Sequence, residues 1–450
     1  MTHILKAQRA HAKTGLTRPY AFRMERLDAL YQGIKRYEPH LLEALKKDLG
    51  KTTGEAYATE IGYCLKSIRR ARKKLKKWMK PARVKTPWYM IGMKSRVQAE
   101  PVGHVLIIGP YNYPFHLVIE PLIGAIAAGN TVMVKPSELA PATADVIERI
   151  VQETFDNVHV SVVLGDKDVT ATLLEWRFDH VFFTGSERVG RIVYEAAARH
   201  LTPVTLELGG KSPCIVDKTA NLDVAAKRIA VGKWVNAGQT CIAPDYLWVH
   251  RDIKDALIEK IIAAIERFYP SMPSQYGRII NTHHVDRLIG LIDREKVVHG
   301  FRVDRERRII TPAIQDNVTW NDAVMQEEIF GPILPVMTFD SLDEVIDGLK
   351  DKPSPLALYV FTADKQTRRR VLEEVRFGGA CVNDTLSHVI NPNLPFGGIG
   401  ASGIGRYHGK HSFDTFSHHK SVVKRTTRVD PPIAYPPWEK KEKWLRKILK

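Results

Sequence analysis

From about residue 102 onward the chain alternates short apolar runs of strand type with helical stretches, and this alternation restricts the fold more than any other feature. The runs 105–108, 131–134, 158–164, 180–183, 204–206 and 213–216 are separated by helical stretches at 117–128, 142–154, 186–199 and 222–235. A strand buried on both faces reads as a continuous apolar run, and a helix between two such runs returns the chain to form a parallel sheet. A second series follows at 246–249, 309–313, 333–339, 356–361 and 380–383, again with helices between. The pattern predicts two α/β layers in tandem, with the best boundary near Gly209-Gly210. Ahead of them, residues 23–77 carry apolar positions at helical spacing. Residues 81–98, rich in Lys, Pro and aromatics, break the helix and read as an extended arm.

A chain of 450 residues is too long for one core and suggests two or three domains. Cys64, Cys214, Cys241 and Cys381 are scattered, with no CxxC and no metal-ligand spacing, which fits a reducing compartment rather than a disulfide framework. The N-terminus lacks the apolar stretch of a secretory signal. The apolar region 117–134 is interrupted by Glu120, Pro121 and Asn130, so it makes a poor membrane span, and a cytoplasmic protein is expected. Net charge is +17, from 67 basic and 50 acidic residues, concentrated in 66–85 and in the tail 440–450. No helix-turn-helix, zinc or RNA-binding signature accompanies that charge, so no nucleic-acid partner is expected. Trp438, Trp444, Leu445, Ile448 and Leu449 interleave with the tail's lysines, a pattern suited to weak contact with an anionic membrane surface. His408, His411, His418 and His419 cluster without a carboxylate or cysteine to complete a site, and no metal is assigned.

Several segments carry chemistry. Gly238-Gln239-Thr240-Cys241 sets a soft nucleophile in a loop of small residues, and Glu207-Leu208-Gly209-Gly210-Lys211 sets a carboxylate at a glycine-flanked strand end. Pro110-Tyr111-Asn112-Tyr113-Pro114 is a stiff loop presenting an amide, whose N–H suits a developing oxyanion. Phe183-Thr184-Gly185-Ser186, with Gly190 beyond it, is a strand-to-helix turn where backbone can approach a phosphate. Lys135 and Glu138 close another strand, across Pro136, where ribose hydroxyls could be held or a helix capped. Glu327-Glu328-Ile329-Phe330-Gly331-Pro332 offers a carboxylate beside a ring, either a nicotinamide site or ordinary surface acids before a turn.

These segments, with Pro395-Phe396-Gly397-Gly398, follow one another in an order that resembles the aldehyde dehydrogenase superfamily over nearly the whole chain. Gly405-Arg406-Tyr407-His408-Gly409-Lys410 and the segment 412–418 are similar to the class 3 branch, which includes fatty and aromatic aldehyde dehydrogenases. The resemblance implies a Rossmann-type cofactor domain (1–79 and 100–210), an α/β catalytic domain (211–390), and a β-strand bridging arm with the C-terminal tail (80–99 and 391–450). It implies Cys241 as nucleophile, Glu207 as general base and Asn112, with the Cys241 N–H, as oxyanion donor. Lys135 and Glu138 would hold the adenine ribose, Gly185, Ser186 and Gly190 would lie by the pyrophosphate, and Glu328 and Phe330 would hold the nicotinamide side. The implied reaction is NAD(P)-dependent oxidation of an apolar aldehyde to its acid, through a thiohemiacetal and a thioester, by a homodimer. Two positions depart from the pattern: Tyr111 stands where many relatives carry tryptophan, and Glu187-Arg188 replaces small polar residues. NAD is favoured because Glu138 would repel a 2′-phosphate, with NADP left open by Arg188. A CoA-acylating enzyme and a non-catalytic protein reusing the fold are the rival readings.

Overall fold

The computed structural model describes residues 2–270, 272 and 276–448. Two sheets built from the two strand series form its centre. The first runs in the order Gly403–Ile404, Val204–Glu207, His180–Thr184, His104–Ile108, Thr131–Lys135, Val160–Val162. All its pairings are parallel except that of the edge strand Gly403–Ile404, which lies antiparallel to Val204–Glu207 with Gly403 opposite Glu207. Every residue of His104–Ile108, Thr131–Lys135 and His180–Thr184 is buried, as unbroken apolar runs require. The helix His116–Ala128 between the first two of these strands is buried throughout. It stops at Gly129, whose φ of 91° lets its N–H turn back to the Ala125 and Ile126 carbonyls.

The second sheet runs Val297–Gly300, Ala313–Gln315, Ile333–Phe339, Tyr246–His250, Pro213–Val216, Ala357–Phe361, Gly379–Val382. Only Val297–Gly300 is antiparallel to its neighbour. Two details differ from the sequence reading. The run 213–216, grouped there with the first series, belongs to the second sheet, because the chain crosses over at Gly209-Gly210. The run 309–313 is two elements: Ile309–Ile310 pairs with Val303–Asp304, and Ala313–Gln315 joins the large sheet. Pro312, which has no N–H to give a ladder, separates them.

The helical N-terminal region consists of Tyr20–Leu49, Thr53–Ala56, a π turn at Tyr57–Ile61, and Gly62–Trp78. A helix at Thr2–Thr14 precedes it and was not anticipated. Its Gln8 side chain donates to the Val132 carbonyl and to Ser161 Oγ, both at 3.0 Å, which ties it to the first sheet. A third, antiparallel sheet joins Ala82–Val84, Met93–Pro101 and Ser417–Arg425, with Ser417 opposite Pro101 and Arg425 opposite Met93. Both halves of the arm expected at 80–99 and 391–450 thus contribute strands to this sheet. Beyond it, Trp438 and Trp444 are exposed, the latter on the short helix Glu442–Ile448. Among the described residues no helix is long and apolar enough to cross a membrane.

Candidate active site

Cys241 sits in the loop between the helix Leu222–Trp234 and the central strand Tyr246–His250 of the second sheet. It is partly accessible, whereas Cys64, Cys214 and Cys381 are buried. The approach to it is strained: Asn236 and Ala237 have φ of 55° and 53°, and Gly238 has 76°. At Gly238 glycine is required twice over, because a Cβ would also stand 2.2 Å from the Gly331 carbonyl oxygen. Such strain persists where surrounding contacts over-determine it. Here Asn236 Nδ2 donates to the Asn112 carbonyl at 2.8 Å and to the Gln239 carbonyl at 3.1 Å. The Gln239 side chain grips the Asn236 and Arg278 carbonyls and the Ile280 N–H.

Asn112, 2% exposed, donates one Nδ2 hydrogen to the Gln239 carbonyl at 3.0 Å. An amide nitrogen carries two hydrogens, so the second is left for a ligand. The next residue, Tyr113, shares a 2.7 Å hydrogen bond with Thr240 Oγ1, immediately before the cysteine. On the other side, Tyr111 packs against His284 and Phe330 at 5.5 and 5.9 Å between ring centroids.

Glu207 ends the strand Val204–Glu207. Its backbone carbonyl accepts the Gly185 N–H at 3.0 Å, which brings the Phe-Thr-Gly-Ser turn alongside. The residue is 2% exposed, and among the described residues neither carboxylate oxygen has a hydrogen-bond partner. Burial pushes that carboxyl well above its ordinary range. Burial also raises the Cys241 thiol, helped by the nearby Glu328 and Glu207 carboxylates. Both shifts favour the protonated forms of the two groups.

Glu328 is pushed up to about 8, first by burial and then by Asp245, against the Gly210 N–H, Lys211 and Arg287. It lies so close to Gly209 that a Cβ there would fall 2.0 Å from its Oε2. The loop around it is held from several sides. Lys211 pairs with Asp245 and donates to the Val324 and Glu327 carbonyls, Asp245 accepts the Ile329 N–H, and Arg287 binds Glu327 and the Ile329 carbonyl. Phe330 follows with φ of 47°.

The remaining sequence candidates lie along the carboxyl ends of the first sheet. Lys135, 2% exposed, donates to Glu138 at 2.7 Å. Ser186 caps the helix Glu187–Ala198 by accepting the Val189 N–H, and Gly185 precedes it. Glu187 pairs with Arg191, while Arg188 is exposed. Gly190 lies inside the helix, where a Cβ would fall 2.6 Å from Leu208, so its bareness serves helix-to-strand packing.

Several residues escaped the sequence reading. Lys51, Glu55 and Glu60 are packed behind Asn112 and Asn236, but the charge-rich stretch that contains them carries no motif. Lys233, 1% exposed, has its ammonium lowered to about 8 by burial, against the pull of Asp245. Asn236 had a signal in Asn-Ala-Gly, two small residues after an asparagine directly before the cysteine motif.

A family model described as "Aldehyde dehydrogenase family" matches residues 2–422. The chain is 52% identical over 447 residues to the 4,4'-diaponeurosporen-aldehyde dehydrogenase of Staphylococcus aureus, covering 98% of this chain and 97% of that one. It is 43% identical to the "Aldehyde dehydrogenase, dimeric NADP-preferring" of Canis lupus familiaris, covering 97% and 98% of the two chains. Among solved structures, the substrate-bound state of Staphylococcus aureus AldH superposes with a TM-score of 0.98 at 51% identity, over 100% of this chain and 99% of that one. An indole-3-acetaldehyde dehydrogenase complexed with NAD+ gives 0.84 at 27% identity, over 94% and 88%. The chain belongs to the aldehyde dehydrogenase family, and it is an NAD(P)-dependent enzyme that oxidises aldehydes.

Proposed function

We propose that the enzyme converts apolar aldehydes, aliphatic of medium or long chain or aromatic, to carboxylic acids through a thioester on Cys241. One observation carries this reading: a partly accessible thiol lies within electrostatic reach of a buried carboxylate without a partner among the described residues, and an amide bonded to the thiol's own loop is anchored by only one of its hydrogens. Glu207 accepts the Cys241 proton as sulfur bonds to the aldehyde carbon and the carbonyl electrons move onto oxygen. The free Asn112 hydrogen and the Cys241 N–H donate to that oxygen.

The first sheet suits a dinucleotide. Thr184 Oγ1 is buried without a partner at a strand's carboxyl end, two strands from Lys135, and ligands of open parallel sheets bind at such ends. Lys135 and Glu138 would hold the adenine ribose, Gly185 and Ser186 the pyrophosphate, and Glu328 and Phe330 the nicotinamide side. A dinucleotide held there would supply a hydride acceptor, so that the carbon attached to Cys241 could pass from the thiohemiacetal to the thioester level. Glu207 releases that first proton to solvent, takes a second from water as the oxygen adds to the thioester carbon, and returns it to the Cys241 sulfur as the carbon–sulfur bond breaks to free the acid. A base for water is unnecessary when CoA accepts the acyl group, so Glu207 favours hydrolysis over CoA acylation.

A relative named for 4,4'-diaponeurosporen-aldehyde supports an apolar substrate. The Glu138 carboxylate beside Lys135 supports NAD over NADP, since a 2′-phosphate would meet a like charge. The outer edge of Ser417–Arg425 is open, and a relative named dimeric supports a homodimer formed along it. Exposed Trp438 and Trp444 among lysines support weak contact of the tail with anionic membrane.

The test is cofactor reduction with aldehydes of rising chain length and with benzaldehydes, each with NAD and NADP, with and without CoA. Activity should rise with apolar size, need no CoA and vanish in Cys241→Ala. Undiminished turnover by folded Cys241→Ala would remove the scheme.

A further inference from the structure

Behind the Asn112 loop lies a set of buried charges that the scheme above does not use. The Lys51 ammonium and the Glu60 carboxylate form an ion pair in which both side chains are 0% exposed. Lys51 also donates to the Asn112 carbonyl at 3.1 Å and lies 4.0 Å from the centre of the Tyr113 ring. The second Glu60 oxygen accepts the N–H groups of Phe115 and His116, at 2.9 and 3.2 Å, where the helix His116–Ala128 begins. Glu55 accepts the Asn236 N–H at 2.8 Å. Burial raises the Glu55 carboxyl, and Lys51 opposes that rise.

The π turn explains how two carboxylates five residues apart serve one site. In an α-helix, residues five apart point well away from each other. A turn widened to i→i+5 bonds, as in Gly62 N–H to Tyr57 O, brings them towards one face. The Asn112 carbonyl is thus held from two directions, by Lys51 and by Asn236 Nδ2, while its side chain is held by Gln239. A buried ion pair is a poor means of raising stability, because the desolvation of both ions offsets most of their attraction. Holding two loops in register is a task that suits it better.

We propose that Lys51, Glu55 and Glu60 form a charged brace that positions the Asn112 amide for the oxyanion and fixes the Asn236–Gln239 turn against it. They are positioning residues and act through Asn112. The inference rests on the reading of Asn112 as oxyanion donor and extends it to what aims that donor. A displacement near 1 Å at a reacting group costs roughly a hundredfold in rate, so Glu60→Gln should lower kcat by about ten- to a hundredfold.

The experiment is a double-mutant cycle on the full-length enzyme with Glu60→Gln, Asn112→Ala and the pair. Cofactor dissociation constant and the rate of Cys241 alkylation by iodoacetamide are measured alongside kcat. Glu60→Gln should lower kcat while leaving the other two readouts within about twofold of wild type, since neither needs the amide. Asn112→Ala should add much less in the Glu60→Gln background than in wild type. Lys51→Met carries the same expectation if Glu60→Gln does not yield folded protein. Unchanged kcat in the brace variant, equal losses in all three readouts, or full additivity with Asn112→Ala would overturn the brace. Unchanged kcat in Asn112→Ala alone would instead overturn the oxyanion reading on which it stands.

Discussion

The surroundings of Cys241 and the ends of the first sheet are built on opposite plans. Around the cysteine, Asn112, Asn236 and Gln239 are at most 2% exposed, and each makes at least two hydrogen bonds. Along the ends of the first sheet, Ser186 and Arg188 are exposed and the Glu138 side chain is 40% accessible. Groups that meet a transition state gain most from being fixed before it forms. Groups that receive and release a cofactor at every turnover need access more than rigidity.

The sharpest way to break this contrast is at the base. Glu207→Gln keeps the shape and removes the proton acceptor, and it should slow turnover by roughly 10²–10⁴-fold. The rise of kcat/KM with pH should flatten, because burial raises the Glu207 carboxyl and its basic form gains population as pH increases. Stopped-flow and pH profiles check both, and a variant that keeps the wild-type rate and profile removes Glu207 from the mechanism.

At the ends of the first sheet, where Lys135 is itself buried beneath the more accessible Glu138, the expected effect is smaller and of another kind. Lys135→Met should weaken cofactor binding by roughly ten- to a hundredfold, the worth of one hydrogen bond to a charged group, with kcat little changed. A large loss of kcat with unchanged cofactor KM would mean that this side, too, is tuned for the transition state.

The smallest effect separates rigidity from stability. Glu120 is 3% exposed on the helix His116–Ala128, its Oε2 has no partner, and burial raises its carboxyl to about 7. A raised carboxyl means that the folded state keeps the proton longer than the unfolded chain, so its contribution falls as pH rises from about 4.5 to 7. Glu120→Gln should therefore stabilise the protein by about 1–3 kcal/mol at pH 8 and by little near pH 4.5. Thermal melts at the two pH values check this, and a destabilised variant at pH 8 would show that the charge is wanted where it is.

The order of segments made the positions of Cys241, Glu207 and the sheet ends legible, because the segments carry short residues that the backbone itself requires: Gly209 to admit Glu328, Gly238 to turn before Cys241. The brace was not legible. Lys51, Glu55 and Glu60 are spaced by Thr, Gly, Ala and Tyr with no motif among them, and only tertiary packing buries the Lys51–Glu60 pair and sets the half-buried Glu55 beside Asn236. Their shared face depends on a π turn, which has no spacing signature in the sequence. The misreading of 309–313 had a visible cause in Pro312, whereas the strand Gly403–Ile404 is two residues long and too short to carry any alternation.

That short strand fixes an order of events in the life of the chain. Glu207 and Cys241 leave the ribosome long before residues 403 and 404, yet the sheet edge beside Glu207 closes only when Gly403 pairs with it and Ser402 accepts the Leu208 N–H. The nascent chain thus carries both Glu207 and Cys241 through the synthesis of the rest of the second sheet with the strand Val204–Glu207 unpaired along one side. Closure of that edge is a late step, governed by contacts distant in sequence and delayed by the closure entropy they require.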